Sequence, residues 1–112
     1  MTAAPANLFD AVPASGAEEQ FLPLVAAGAV LVERIVSTGQ ASPPGFWYDQ
    51  ARDEFVLLLQ GSAGLTLEGE AAPRRLAPGD WLHLPAHRRH RVDWTSAAPP
   101  AIWLAVHFPA GA

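Results

Sequence analysis

The chain contains no cysteine and no lysine. Without thiols there is no disulfide, no thiolate metal site and no cysteine nucleophile, so any metal must be held by imidazole, carboxylate or amide oxygen. The seven cations are all arginines and stand against eleven acids, for a formal charge of −4, which excludes a broad nucleic-acid-binding face. No apolar run approaches the roughly 18 residues of a membrane span. No basic segment precedes an apolar stretch in the manner of a secretory signal. The expectation is a cytoplasmic protein that binds neither membrane nor nucleic acid. Uninterrupted helical stretches are scarce too. Eleven prolines and nine glycines in 112 residues argue against a helix bundle.

What is present points to one β domain. Half of the residues are apolar, enough for a core, and the length suits a single domain. Residues 1–28 read as an N-terminal segment, frayed at its start, in which Ser15 and Glu18 have capping-box spacing for a short helix. Strand-like segments then follow at 29–37, 46–50, 54–60, 63–68, 81–84, 90–95 and 101–108, with a short RRL piece at 74–76. Turn chemistry separates them. Gly61-Ser62 fits a two-residue hairpin, and Ala77-Pro-Gly-Asp80 fits a type II turn. About eight short strands predict an all-β jelly-roll barrel over 29–108, with 109–112 as a tail.

Alternation along the strands selects candidate site residues. His90, Val92 and Trp94 share one face, and Glu54, Val56 and Leu58 share another. If both faces point inward, a carboxylate and an imidazole meet in the barrel. His83 and His107 are read as structural or as facing a partner. Phe55, Leu57 and Leu59 lie on the face opposite Glu54 and need a cover of their own, which a homodimer would provide.

The motifs that accompany this pattern resemble those of a small single-domain, RmlC-like cupin, of the kind found in bacteria. Glu54-FVLLLQ-Gly61 matches the E-x6-G half of the first cupin motif. Gly79-DWLHL-Pro85-Ala-His87-Arg-Arg-His90 keeps the first Gly, the Pro and the last His of the second motif, with His87 in place of its second Gly and Trp94 in place of its Asn. The resemblance implies a double-stranded β-helix and a divalent metal (Zn, Mn, Fe or Ni) held by Glu54 and His90. The H-x-H pair of the first motif is absent. Trp47 and Asp49, or Tyr48 and Gln50, stand there according to the spacer. Asp49 and His87 are therefore the expected replacement ligands.

Around that site, Tyr48 and His87 are candidate acid–base groups. Trp47, Gln50, Arg88 and Trp94 are candidate substrate contacts. The neighbouring Arg88, Arg89 and Arg91 suit an anionic small molecule. The function expected is a metal-dependent oxygenase, isomerase or lyase of a small molecule. The alternatives are a ligand-binding sensor that has lost its metal, and a dimeric scaffold.

Overall fold

The computed structural model describes residues 4–111, and the expectations for residues 1–3 and 112 lie outside it. Among the described residues, eight strands and no helix make two facing antiparallel sheets: β1 (Gln20–Ala27), β2 (Val30–Ser37), β3 (Asp53–Gln60), β4 (Ala63–Leu67), β5 (Arg74–Leu76), β6 (Trp81–Leu84), β7 (His90–Thr95) and β8 (Ala101–Phe108). One sheet has the order β1-β2-β8-β3-β6 and the other β5-β4-β7. The fold is the expected all-β jelly roll.

The core lies between the sheets. Val56 and Leu58 of β3 meet Ala63, Leu65 and Leu67 of β4, with Leu84, Trp103 and Ala105 completing the cluster. The expected turns form. Gly61 opens the β3–β4 hairpin at φ 82°, and Asp80 N–H donates to Ala77 O at 2.9 Å across the Pro-Gly turn.

Two elements differ from the sequence reading. Ser15–Glu18 begins no helix, and the following residues form β1, the edge strand beside β2. Pro23 is tolerated there because an edge strand can leave a ladder position undonated, and a bulge follows at Leu24. Residues 46–50 form no strand. That segment makes one bridge, Tyr48 to His90, and then passes to Gln50, whose carbonyl accepts from His87 N–H at 2.7 Å.

The N-terminal segment is tied to the outer face of β2. Arg34 donates to the carbonyls of Asp10 (2.6 Å) and Leu8 (3.2 Å) and to Gln20 Oε1 (2.7 Å). Val36 and Ile102, paired in register beside it, are each 1% exposed although they lie outside the inter-sheet cluster.

Candidate functional site

Inward parity on β3, β7, β8 and β2 brings four titratable side chains to one end of the barrel. Glu54 stands opposite His107 in the β3–β8 register, and Glu33 is two residues from Ile35 on the inward face of β2. His90 begins β7. A cavity of about 90 Å3 opens among these groups, with Tyr48, Gln50, Phe21 and Trp103 also in its wall.

The four groups play different parts. His107 Nε2 lies 2.9 Å from Glu33 Oε1, within hydrogen-bond distance. The buried Nδ1 of His107 has no partner. A carboxylate oxygen only accepts, so His107 Nε2 donates to Glu33. His90 is fixed the other way: Nδ1 donates to Arg88 O at 3.0 Å, leaving the Nε2 lone pair free. The Tyr48 ring stacks on His90 at 5.3 Å and holds the imidazole's plane. Burial lowers the His90 pKa, which keeps the ring neutral.

Glu54 sits between the two imidazoles. Its Oε1 is 3.9 Å from His90 Nε2 and its Oε2 is 3.7 Å from His107 Nε2, both beyond hydrogen-bond distance. Its side chain is only 8% exposed, yet no protein donor reaches it among the described residues. Burial pushes its pKa from 4.5 up to about 6, against the opposing pull of His107. Tyr48 is likewise raised, mainly by burial and then by Glu19 and Glu54, so its hydroxyl stays protonated and can donate.

The sequence-predicted residues divide. Glu54, His90, Tyr48 and Gln50 line the cavity. Asp49 and His87 do not. They pair with each other at 2.7 Å on an exposed rim, with side chains 48% and 69% exposed. Trp47 lies under Arg89 at 5.7 Å. The arginine cluster is engaged elsewhere in part: Arg89 bonds Glu68 at 2.7 Å, and Arg91 pairs with Asp93 at 3.2 Å. Arg88 is exposed and contributes its carbonyl rather than its guanidinium to the site.

Trp94 leaves the predicted face because of a bulge. In the β4–β7 ladder Gly64 pairs with Trp94 but Leu65 pairs with Val92, so Asp93 is an extra residue and the parity reverses beyond it. Thr95, not Trp94, is buried. The indole lies over Gly64, where an added Cβ would fall 2.1 Å from Nε1.

His107 and Glu33 are the residues sequence reasoning missed. His107 alternates with Trp103 and Ala105 on the inward face of β8, whereas the sequence reading makes it structural or partner-facing. Glu33 carried a signal. It is a carboxylate in VLVERIVS on the same alternating face as Leu31 and Ile35, and an acid on an apolar strand face needs a partner.

The chain matches the family described as the cupin domain over residues 33–107. No curated protein matches it. A solved structure from Ralstonia eutropha JMP134, described as a putative mannose-6-phosphate isomerase, is 54% identical, with a TM-score of 0.93 over 96% of this chain and 100% of that one. A cupin superfamily protein from Desulfitobacterium hafniense DCB-2 aligns at a TM-score of 0.77 and 20% identity, covering 97% and 94% of the two chains. An RmlC-like cupin from Desulfovibrio desulfuricans aligns at 0.75 and 16%, covering 97% and 99%. At those identities the latter two bear on fold alone.

Proposed function

The chain belongs to the cupin-domain family, and from that premise we propose that it binds a small molecule inside the barrel, held by Glu54 and His90, with Glu54 as the proton-exchanging group. One observation carries this reading. Glu54 and His90 are buried side chains whose carboxylate oxygens and Nε2 have no protein partner among the described residues and open onto the same cavity. A buried polar group without a partner is costly, so the pair is built for something that donates to it. Glu54 at about 6 lies in the range where a carboxyl group can both give and take a proton near neutrality. Glu33 acts by orienting His107, and Tyr48 by holding the His90 ring.

The donor set does not fit the divalent metal that the family resemblance suggests. Asp49 and His87 are bonded to each other, and His107 Nε2 carries the proton it donates to Glu33. Among the described residues no three His, Asp or Glu side chains are arranged to hold a metal ion. No step is therefore routed through one. The phosphosugar chemistry in the description of the Ralstonia protein also lacks support here, since no arginine lines the cavity.

The test is a fragment screen by NMR on untagged protein. A binder is expected to move the Trp103 indole and the His90 and His107 imidazole signals, and Glu54→Gln is expected to weaken it at least tenfold. Binding only at the Asp49–His87 rim would overturn the proposal. Tight, stoichiometric Zn2+ or Mn2+ binding lost in Glu54→Gln would restore the metal reading.

A homodimer is part of the same proposal. β1 is exposed along its length, with Phe21, Leu22, Leu24 and Val25 between 41% and 55% exposed, and Trp81 on the outer face is 60% exposed while stacking on Phe55. An exposed apolar edge strand invites a partner. Light scattering at micromolar concentration is expected to give twice 11.9 kDa, and a monomer there would remove it.

A further inference from the structure

The cavity contains a charge pattern that the proposed binding does not by itself explain. Three carboxylates line it, from Glu19, Glu33 and Glu54, and no arginine does. Of its two imidazoles, His107 is committed to Glu33 and His90 is turned to the Arg88 carbonyl. His107 Nε2 donates to Glu33 at 2.9 Å and stays 3.7 Å from Glu54, so Glu54 has no cationic donor within hydrogen-bond distance. His90 gives its Nδ1 proton to Arg88 O and presents a bare Nε2 to the cavity. The neighbouring arginines lie outside the wall: Arg34 grips the N-terminal segment on the outer face, Arg91 pairs with Asp93 and donates to the Ser42 carbonyl, and Arg52 acts on Glu54 only as the weakest of the charges that shift it. Among the polar groups of the wall, only neutral ones, the Tyr48 hydroxyl and the Gln50 amide, join these acceptors. Phe21, Tyr48 and Trp103 add aromatic rings to the same wall.

We infer that the occupant of this cavity is a small organic cation, an ammonium or amidinium group, that donates to Glu54 and to His90 Nε2 while its apolar part lies against the aromatic wall. This rests on the cavity being a binding site, as proposed above, and adds the charge of what binds. An ammonium group supplies up to three donors to a site rich in unpartnered acceptors. Buried carboxylates gain most from a cation brought among them, and the aromatic faces add attraction of the same sign. A carboxylate or phosphate would meet like charge with no arginine to receive it.

The experiment uses three isosteres, propylammonium, propionamide and propionate, with mannose 6-phosphate as a larger anion and Zn2+ as a metal control. Each is titrated into untagged, EDTA-treated and dialysed protein and followed at the Trp103 indole by NMR. The expected result is that propylammonium binds at least tenfold more tightly than propionamide, with propionate and the phosphosugar weaker still. Glu33→Gln and Glu54→Gln are each expected to reduce propylammonium affinity at least fivefold, and Glu68→Gln, on the outer surface, to leave it unchanged. Preference for propionamide, propionate or the phosphosugar would overturn the inference but leave the binding site standing. Micromolar Zn2+ binding with no propylammonium binding would replace it by a metal. Failure of every probe to reach Trp103 would overturn the binding site itself, and the inference with it.

Discussion

Two acid–imidazole systems lie near the same end of the barrel and differ in almost everything but composition. Glu33–His107, with Glu54 and His90 beside it, is buried, and each of its four side chains is about 11% exposed or less. Asp49–His87 has a shorter contact, 2.7 against 2.9 Å, but its side chains are 48% and 69% exposed. In water a close ion pair is worth little, because solvent competes for both partners and screens them. In the cavity the same groups are largely withdrawn from bulk water, so an unpartnered oxygen or nitrogen there carries a cost that a ligand can relieve. Burial, not contact distance, separates the candidate binding cluster from the pair on the rim.

The largest expected effect comes from breaking the buried pair. Glu33→Ala leaves His107 without a partner at either ring nitrogen and should cost about 3 kcal/mol of stability. Asp49→Ala on the rim should cost less than about 1 kcal/mol. Urea denaturation of both variants checks the contrast, and equal losses would erase it.

Glu54 gives the next effect, with a sign that sets it apart from an ordinary paired carboxylate. Its folded value of about 6 lies above the ordinary 4.5 of a glutamate, so the folded state holds the proton more tightly than the unfolded chain. The stability it contributes is complete below about pH 4.5 and is lost as pH rises through about 6. That difference corresponds to about 2 kcal/mol. Glu54→Gln cannot ionise, so its stability relative to the parent should rise by about that much between pH 4 and pH 7.5, even as it weakens ligand binding. A pH-independent difference between the two proteins would show that Glu54 is not buried as described.

The buried cluster was only half legible in the sequence. Glu54 and His90 could be read because alternation along β3 and at the start of β7 is unbroken and the motif spacings agree with it. Glu33 and His107 were not joined, because their contact depends on the β2–β8 and β3–β8 registers, which pair residues more than forty positions apart in sequence. Trp94 went to the wrong face because the extra residue at Asp93 has no mark in the sequence. β1 was overlooked because Pro23 and a capping-like Ser-x-x-Glu masked an apolar strand at the sheet edge. The rim was misread for a different reason. Asp49 and His87 have the right chemistry for ligands, and nothing local says that they face each other instead of the cavity.

The smallest effect concerns the rim's backbone. His87 occupies the position where the second cupin motif has glycine, and its φ is 63°, in the left-handed region that β-carbon crowding disfavours. The motif's glycine and this strain have one origin: the turn after Pro85 needs positive φ, whatever residue supplies it. Two substitutions separate the strain from the ion pair. His87→Ala removes the contact to Asp49 but keeps a β-carbon, so it should change stability by no more than about 0.5 kcal/mol. His87→Gly removes both, and should be more stable than His87→Ala by about 1 kcal/mol, despite the greater freedom glycine gives the unfolded chain. Neither variant should alter binding at the Trp103 indole, since the rim faces solvent. If His87→Gly proves no more stable than His87→Ala, the backbone there is unstrained. If either variant weakens cavity binding, the rim belongs to the site and the division drawn between the two systems fails.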